Sequence, residues 1–402
     1  MQDRPAPLAG IRVVDIATFV AAPYAASILG EFGAEVIKVE QPGEGDPLRR
    51  FGSPSARAGD TYCWLSEGRN KRSITLDLRK ERGKELFREL VAGADVVCEN
   101  FRPGTLEKWG IGYDALKAVN PRLIMLRISG YGQTGPYRDR PGFARIAHAF
   151  SGLAHLTGMP GGPPLTPGST SLADYVSGAY GAIGVLLALR SRDQTGLGQS
   201  IDLALYEPIF RMLDDLAPAF AALGTTRGRL GTGTTNACPH GHFQAADGGW
   251  VAIACTNDKM FARLAAIMGR PGLAADDVYG RAAVRIANSA AVDKLTADFV
   301  ASMSTDALIE ACVAGEVPCA RVNTIADIFA DPQFQARESL VTRHDETLGD
   351  VVVPGPLPRL SETPGRIDSL GPLLGAGNAE VYGTLLGLSE AEIATLKADG
   401  VI

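Results

Sequence analysis

The first half of the chain alternates short β-branched runs with amphipathic helical stretches, and few folds accommodate that alternation. Residues 11–16 (Ile-Arg-Val-Val-Asp-Ile) read as a strand, 22–32 as a helix and 35–40 (Glu-Val-Ile-Lys-Val-Glu) as the next strand, which makes one βαβ unit. Strand-like runs at 73–78, 95–98 and 123–128 and helical runs at 80–91 and 113–119 continue the pattern. The fold class expected is therefore α/β, with a Rossmann-like parallel sheet and crossover helices.

At 402 residues, 46% of them hydrophobic, the chain is long enough for two domains. Residues 139–170, punctuated by Pro141, Gly142, Gly158, Pro160 and Gly168, read as a long loop; a strand at 200–204 and a helix near 209–223 follow. The run Gly224-Thr225-Thr226-Arg227-Gly228-Arg229-Leu230-Gly231-Thr232-Gly233 is too glycine-rich for regular structure. The organisation expected is a large domain from 1–223, a linker or lid at 224–235, a small α/β domain at 236–330 and a return to the large domain over 331–402. Within the small domain, 250–254 reads as a strand and 260–268 as a helix; later, 351–353 reads as a strand, and Ser389 with Glu392 forms a capping box.

Several functions are disfavoured. A net charge of −6 and no basic run with interleaved aromatics argue against nucleic acid. The N-terminal residues carry no apolar signal segment, and the apolar stretch 172–189 is broken by Asp174, Ser177 and glycines, so it reads as a buried helix and no membrane is expected. Six scattered cysteines without a CxxC pair suggest a reduced, cytoplasmic chain. Cys238, His240 and His242 lie close in sequence but lack zinc-site spacing, and no metal is expected. Glu40 ends the second strand where a ribose-binding acid would sit, yet residues 17–23 contain no GxGxxG, so NAD is not expected.

Asp174 is the most suggestive single residue, a lone acid entering an otherwise apolar helical stretch behind three hydroxyls, Ser169, Thr170 and Ser171, that could cap it. In a first turn, free N–H groups and the helix dipole would hold the carboxylate ionised and lower its pKa, which suits an anionic nucleophile. First-turn acids are also common structural caps, so spacing alone leaves both readings open. Basic residues near strand ends, among them Arg49, Arg69, Lys71, Arg102 and Arg140, would suit phosphates or be solvated loop charges.

Together with Asp174, the segments 8–15, 32–40, Asn70-Lys71-Arg72-Ser73, Glu99-Asn100-Phe101-Arg102-Pro103-Gly104 and Gly130-Tyr131-Gly132-Gln133-Thr134-Gly135-Pro136 resemble the class III CoA-transferases, the group containing formyl-CoA transferase and the carnitine-associated CoA-transferase. The resemblance spans almost the whole chain. It implies a nucleophilic Asp174, an interlocked-ring homodimer, and no cofactor beyond CoA as substrate and covalent carrier. It also implies CoA binding by the N-terminal domain, with Val20, Lys38, Arg72 and Asn100 as candidates, and likewise Phe101, Arg102, Lys108 and Tyr131. Gly231, Thr232 and Gly233 are candidate oxyanion donors, and Arg227, Arg229 and His240 candidate contacts for a remote carboxylate. The substrates so implied are an acyl-CoA, succinyl-CoA foremost, and a small carboxylic acid, a C4–C5 dicarboxylate such as malate, mesaconate, citramalate or itaconate. Departures from the formyl-CoA transferase pattern, Val20 and Ala21 in the first turn and only Gly231-Thr232-Gly233 in the lid, argue against oxalate. The alternative is an α-methylacyl-CoA racemase-like enzyme, but its Gly-His-Asp stretch is replaced by Gly142-Phe143-Ala144. His148 and His155 read as packed or substrate-facing.

Overall fold

A computed structural model describes residues 5–402. Six parallel strands form the central sheet: β1 (Arg12–Asp15), β2 (Glu35–Glu40), β3 (Lys71–Thr75), β4 (Val96–Glu99), β5 (Ile124–Ser129) and β6 (Ser200–Ala204). Their order is β3-β2-β1-β4-β5-β6. The chain thus leaves β1 through α1 (Ala21–Glu31) toward one edge and leaves β4 toward the other. At such a reversal the loops after β1 and β4 part and open a crevice at the carboxyl ends of the strands.

Both faces of the sheet are covered. Val13, Val96, Ile124 and Leu126 pack with α1 and the helix Leu172–Thr195 on one face; Val14, Ile37, Val97 and Met125 pack with the helix Glu81–Ala92 on the other. Burial on both faces explains why these strands lack polar alternation. The 24-residue helix lies very close to α1, because a Cβ on Gly178 would come within 2.5 Å of the Ala21 carbonyl oxygen. The sequence suggested a buried helix, but only its inner face is buried. Tyr180, Ile183, Leu186 and Leu187 are exposed on the other.

The chain divides into two compact units. The larger holds the chain up to Leu153, Thr166–Asp215 and Gln333–Ile402; the smaller holds Ala154–Leu165 and Leu216–Pro332, and so extends beyond the expected 236–330. The smaller unit carries the antiparallel strands His240–Gln244, Trp250–Ala254 and Cys319–Arg321, with Phe261, Leu264, Val300 and Leu308 in its core. The expected loop 139–170 contains helices at Ala144–Phe150 and Leu153–Leu156, and the helix expected near 209–223 is two, Tyr206–Arg211 and Leu216–Leu223. Residues 224–230 have no regular structure.

Candidate active site

The crevice between β1 and β4 holds a cavity of about 210 Å³. Its wall is built from segments following four strands: Thr18, Phe19 and Val20 after β1, Asn100, Phe101 and Arg102 after β4, Ser129 and Gly130 at β5, and Leu205 after β6. The segment from Arg140 to Phe143 and Asp174, in the first turn of the long helix, complete it. A further cavity of about 350 Å³ shares Thr18 and Phe101 and carries Arg50 and Arg79 on its wall.

Buried ions fix the first of these loops. Lys38 on β2 is 1% exposed; its ammonium meets Asp46 at 2.8 Å and Asp15 at 3.6 Å and donates to the Ala17 carbonyl. Lys71 on β3 meets Asp15 at 3.0 Å and donates to the Pro23 carbonyl at 2.7 Å. Burial alone would favour neutral amines, but Asp15 and Asp46 hold Lys38 protonated and raise its pKa. Asp46 also accepts the Phe19 N–H at 3.0 Å, which secures Phe19 at φ +60°, a left-handed conformation that costs a bulky side chain free energy. Across the crevice, the Asn100 side chain accepts the Thr18 N–H at 2.8 Å and donates to the Thr18 carbonyl at 2.7 Å, pinning the two loops together. Glu99 accepts the Phe101 N–H at 2.7 Å while paired with Arg127.

The electrostatics of Asp174 differ from the sequence expectation. Burial pushes its carboxyl up to about 6, and among the described residues no protein donor hydrogen-bonds it to favour the charged form. The capping hydroxyls are not used as expected either: Ser171 is the N-cap residue but its side chain makes no cap hydrogen bond. Instead His148, buried on the helix Ala144–Phe150, accepts the Ala173 N–H on Nε2 at 3.0 Å. Burial, and then Arg145 nearby, lower the His148 pKa and keep the ring neutral, as this acceptor role requires.

The sequence pattern of CoA-transferase family III matches residues 8–378. The chain belongs to CoA-transferase family III. It is 57% identical over 398 residues to the succinyl-CoA–L-malate CoA-transferase beta subunit of Chloroflexus aurantiacus, covering 98% of each chain. It is 42% identical to the succinyl-CoA–D-citramalate CoA-transferase of the same organism, over 100% of this chain and 99% of that one. A CAIB/BAIF family protein from Brucella suis superposes with a TM-score of 0.85 at 37% identity, covering 95% of this chain and 100% of the other.

For a class III CoA-transferase the crevice gathers part of the expected set. Asp174, Val20, Asn100, Phe101 and Arg102 line one cavity, with Arg140, whose guanidinium lies 3.5 Å over the Tyr137 ring. Lys38 is not on its wall, because its ammonium is spent on Asp46, Asp15 and Ala17. Arg72 lies on edge strand β3, paired with Glu35 at 2.6 Å, and Lys108 is exposed on the turn Thr105–Lys108; neither lines the cavity. Tyr131 instead packs against Tyr137 and Phe150. Arg49, Arg69 and Lys71 hold no surface for phosphate, since each is buried against Glu40, Glu31 or Asp15.

Gly231, Thr232, Gly233, Arg227, Arg229 and His240 belong to the smaller unit. The Gly231 N–H donates to the Gly158 carbonyl at 2.9 Å and the Gly233 N–H to Leu230 at 3.1 Å, so neither is free for an oxyanion. Arg229 donates to the His155 carbonyl at 3.0 Å, and His240 pairs with Ala254 across two strands. Sequence reasoning missed Phe19 and Arg145 beside Asp174, and weighed Phe143 only as the residue in place of a racemase histidine. A bulky residue at positive φ leaves no local signal, and Arg145 was read as part of a loop.

Proposed function

We propose that this enzyme moves CoA from succinyl-CoA to a C4–C5 dicarboxylate, L-malate foremost, with Asp174 as nucleophile. The observation that carries the reading is a half-buried carboxylate, without a hydrogen-bond donor among the described residues, at the switch-point crevice of a family III chain. The substrate choice rests on the 57% identical relative named for succinyl-CoA and L-malate; the citramalate enzyme supports the wider dicarboxylate class. CoA would enter along Thr18 and Phe101, with Arg50 and Arg102 facing its phosphates; Arg79 on the same wall is paired with Asp77 at 2.8 Å.

A carboxylate oxygen of Asp174 attacks the thioester carbonyl, forming a C–O bond as the C–S bond breaks and CoA thiolate leaves. The thiolate then attacks the aspartyl carbonyl of the anhydride, forming an enzyme thioester and releasing succinate. The acceptor carboxylate repeats these steps in reverse, so CoA leaves as the new acyl-CoA and the carboxylate is regenerated. A desolvated carboxylate with a raised pKa is a stronger nucleophile than a hydrated one, and it needs no general base.

Only ionised Asp174 can attack. With the carboxyl pushed up to about 6, kcat/KM for succinyl-CoA should fall on acidification with a midpoint near 6. A midpoint near the ordinary aspartate value of about 4 would contradict the buried environment.

The direct test mixes enzyme, succinyl-CoA and L-malate. Malyl-CoA and succinate should appear in equal amounts without net release of CoA. Exchange of the Cα proton of an acyl-CoA without any acceptor acid would favour the racemase-like alternative instead. The homodimer of interlocked rings belongs to the same reading, and the exposed apolar row Tyr180, Ile183 and Leu187 supports a protein partner on the long helix. Light scattering that gives a monomer mass would remove that part.

A further inference from the structure

Asp174 borders a second cavity of about 300 Å³ that meets the first along Phe19, Val20 and Phe143. The rest of its wall joins Phe51 and Ala144 to a polar set, Arg145, His148, Thr166, Ser169, Thr170 and Ser171. Nothing in the thioester chemistry yet uses it. Its most telling group is His148, 2% exposed, whose Nδ1 is buried without a hydrogen-bond partner. Because Nε2 accepts the Ala173 N–H, the neutral ring carries its proton on Nδ1, so the unpartnered atom is a donor awaiting an acceptor. Arg145 spends one N–H on Thr166 Oγ1 at 3.2 Å, and the rest of its fork has no acceptor among the described residues.

We infer that this second cavity is the acid subsite: it takes the carboxylic acid moiety of donor and acceptor, with Arg145 pairing the carboxylate remote from Asp174 and His148 Nδ1–H donating to a substrate oxygen. The inference rests on the CoA-transfer reading above. It divides the reactants between two chambers that meet at the nucleophile, CoA in the strand-end crevice and the acid among these polar groups. The polar part of the wall is suited to anions because it offers a guanidinium, a buried N–H and four hydroxyls but, apart from Asp174, no carboxylate. A monocarboxylate would leave Arg145 without its charge partner, so the pocket selects dicarboxylates. Arg145 thereby takes the role that the sequence suggested for Arg227 and Arg229.

The test is exchange of labelled succinate into succinyl-CoA by the wild-type enzyme and by Arg145→Gln. Loss of the charge-assisted contact should raise the KM for succinate by about 10- to 100-fold, with a smaller change in kcat. The inhibition constant of desulfo-CoA should stay within about twofold, since CoA lies in the other chamber, and Arg145→Lys should recover part of the succinate affinity. Exchange by the wild type with an unchanged succinate KM in Arg145→Gln would overturn the subsite and leave CoA transfer standing. A fall in kcat alone, with both constants unmoved, would likewise overturn it. Absence of exchange by the wild type would instead remove the CoA-transfer reading, and the subsite with it.

Discussion

Replacing Asp174 by Ala is expected to lower CoA transfer by at least about 10⁴-fold, because no neighbouring group can supply the nucleophile. The carboxylates nearest the crevice are committed elsewhere: Glu99 to Arg127 and the Phe101 N–H, Asp46 to Lys38 and the Phe19 N–H. The same position should show the opposite effect on stability. Its carboxyl rises from 3.8 to about 6 on folding, so the folded state binds the proton more tightly. The resulting penalty is absent below pH 4, grows between 4 and 6 and is complete above. Asp174→Asn should therefore be inactive yet more stable than the wild type at pH 8, by on the order of 2 kcal/mol, and no more stable at pH 4. Urea denaturation at the two pH values checks this. Equal stabilities at pH 8 would mean that the carboxylate is better solvated than its surroundings indicate.

The second large effect lies beneath the site. Lys38→Met should destabilise the larger unit by about 3–5 kcal/mol, since it leaves Asp46 and Asp15 buried with a single lysine between them. In a unit of this size that is a loss of roughly 10 °C in Tm. The exposed pair Arg82–Glu85 provides the comparison, where Arg82→Ala should cost at most about 1 kcal/mol. If the two substitutions cost the same, the buried ions do not organise the loop at 16–20. Because Asp46 also secures Phe19, the Lys38 variant should lose affinity for CoA esters even where it remains folded.

Much of the sheet was legible because its signals are local. Strands at 35–40, 200–204 and 250–254 were read to the residue from β-branched runs, and the Ser389–Glu392 capping box is formed as expected. Asp174 stood out because an isolated acid on an apolar helix is rare. What escaped depends on contacts distant in sequence. Lys38 reads as a candidate CoA contact until Asp46 and Asp15 are brought to it. The helix Ala144–Phe150 is seven residues among prolines and glycines, and it is held by burying Ala144, Ala147 and His148 rather than by its own propensity. The pKa of Asp174 was expected to fall because the helix terminus is visible in the sequence whereas desolvation is not. His148, which replaces the expected hydroxyl cap, lies 25 residues before the N–H that it accepts.

The central claim is covalent chemistry at Asp174, and the most direct measurement is to mix the enzyme with succinyl-CoA, quench with hydroxylamine and map the product by peptide mass spectrometry. An anhydride or thioester on the aspartyl carbonyl yields a hydroxamate there. The account predicts a hydroxamate on Asp174, formed without any acceptor acid and absent when succinyl-CoA is omitted. An unmodified Asp174 alongside continuing malate-dependent turnover would contradict it, because CoA would then pass between the acids without ever being held by this carboxylate.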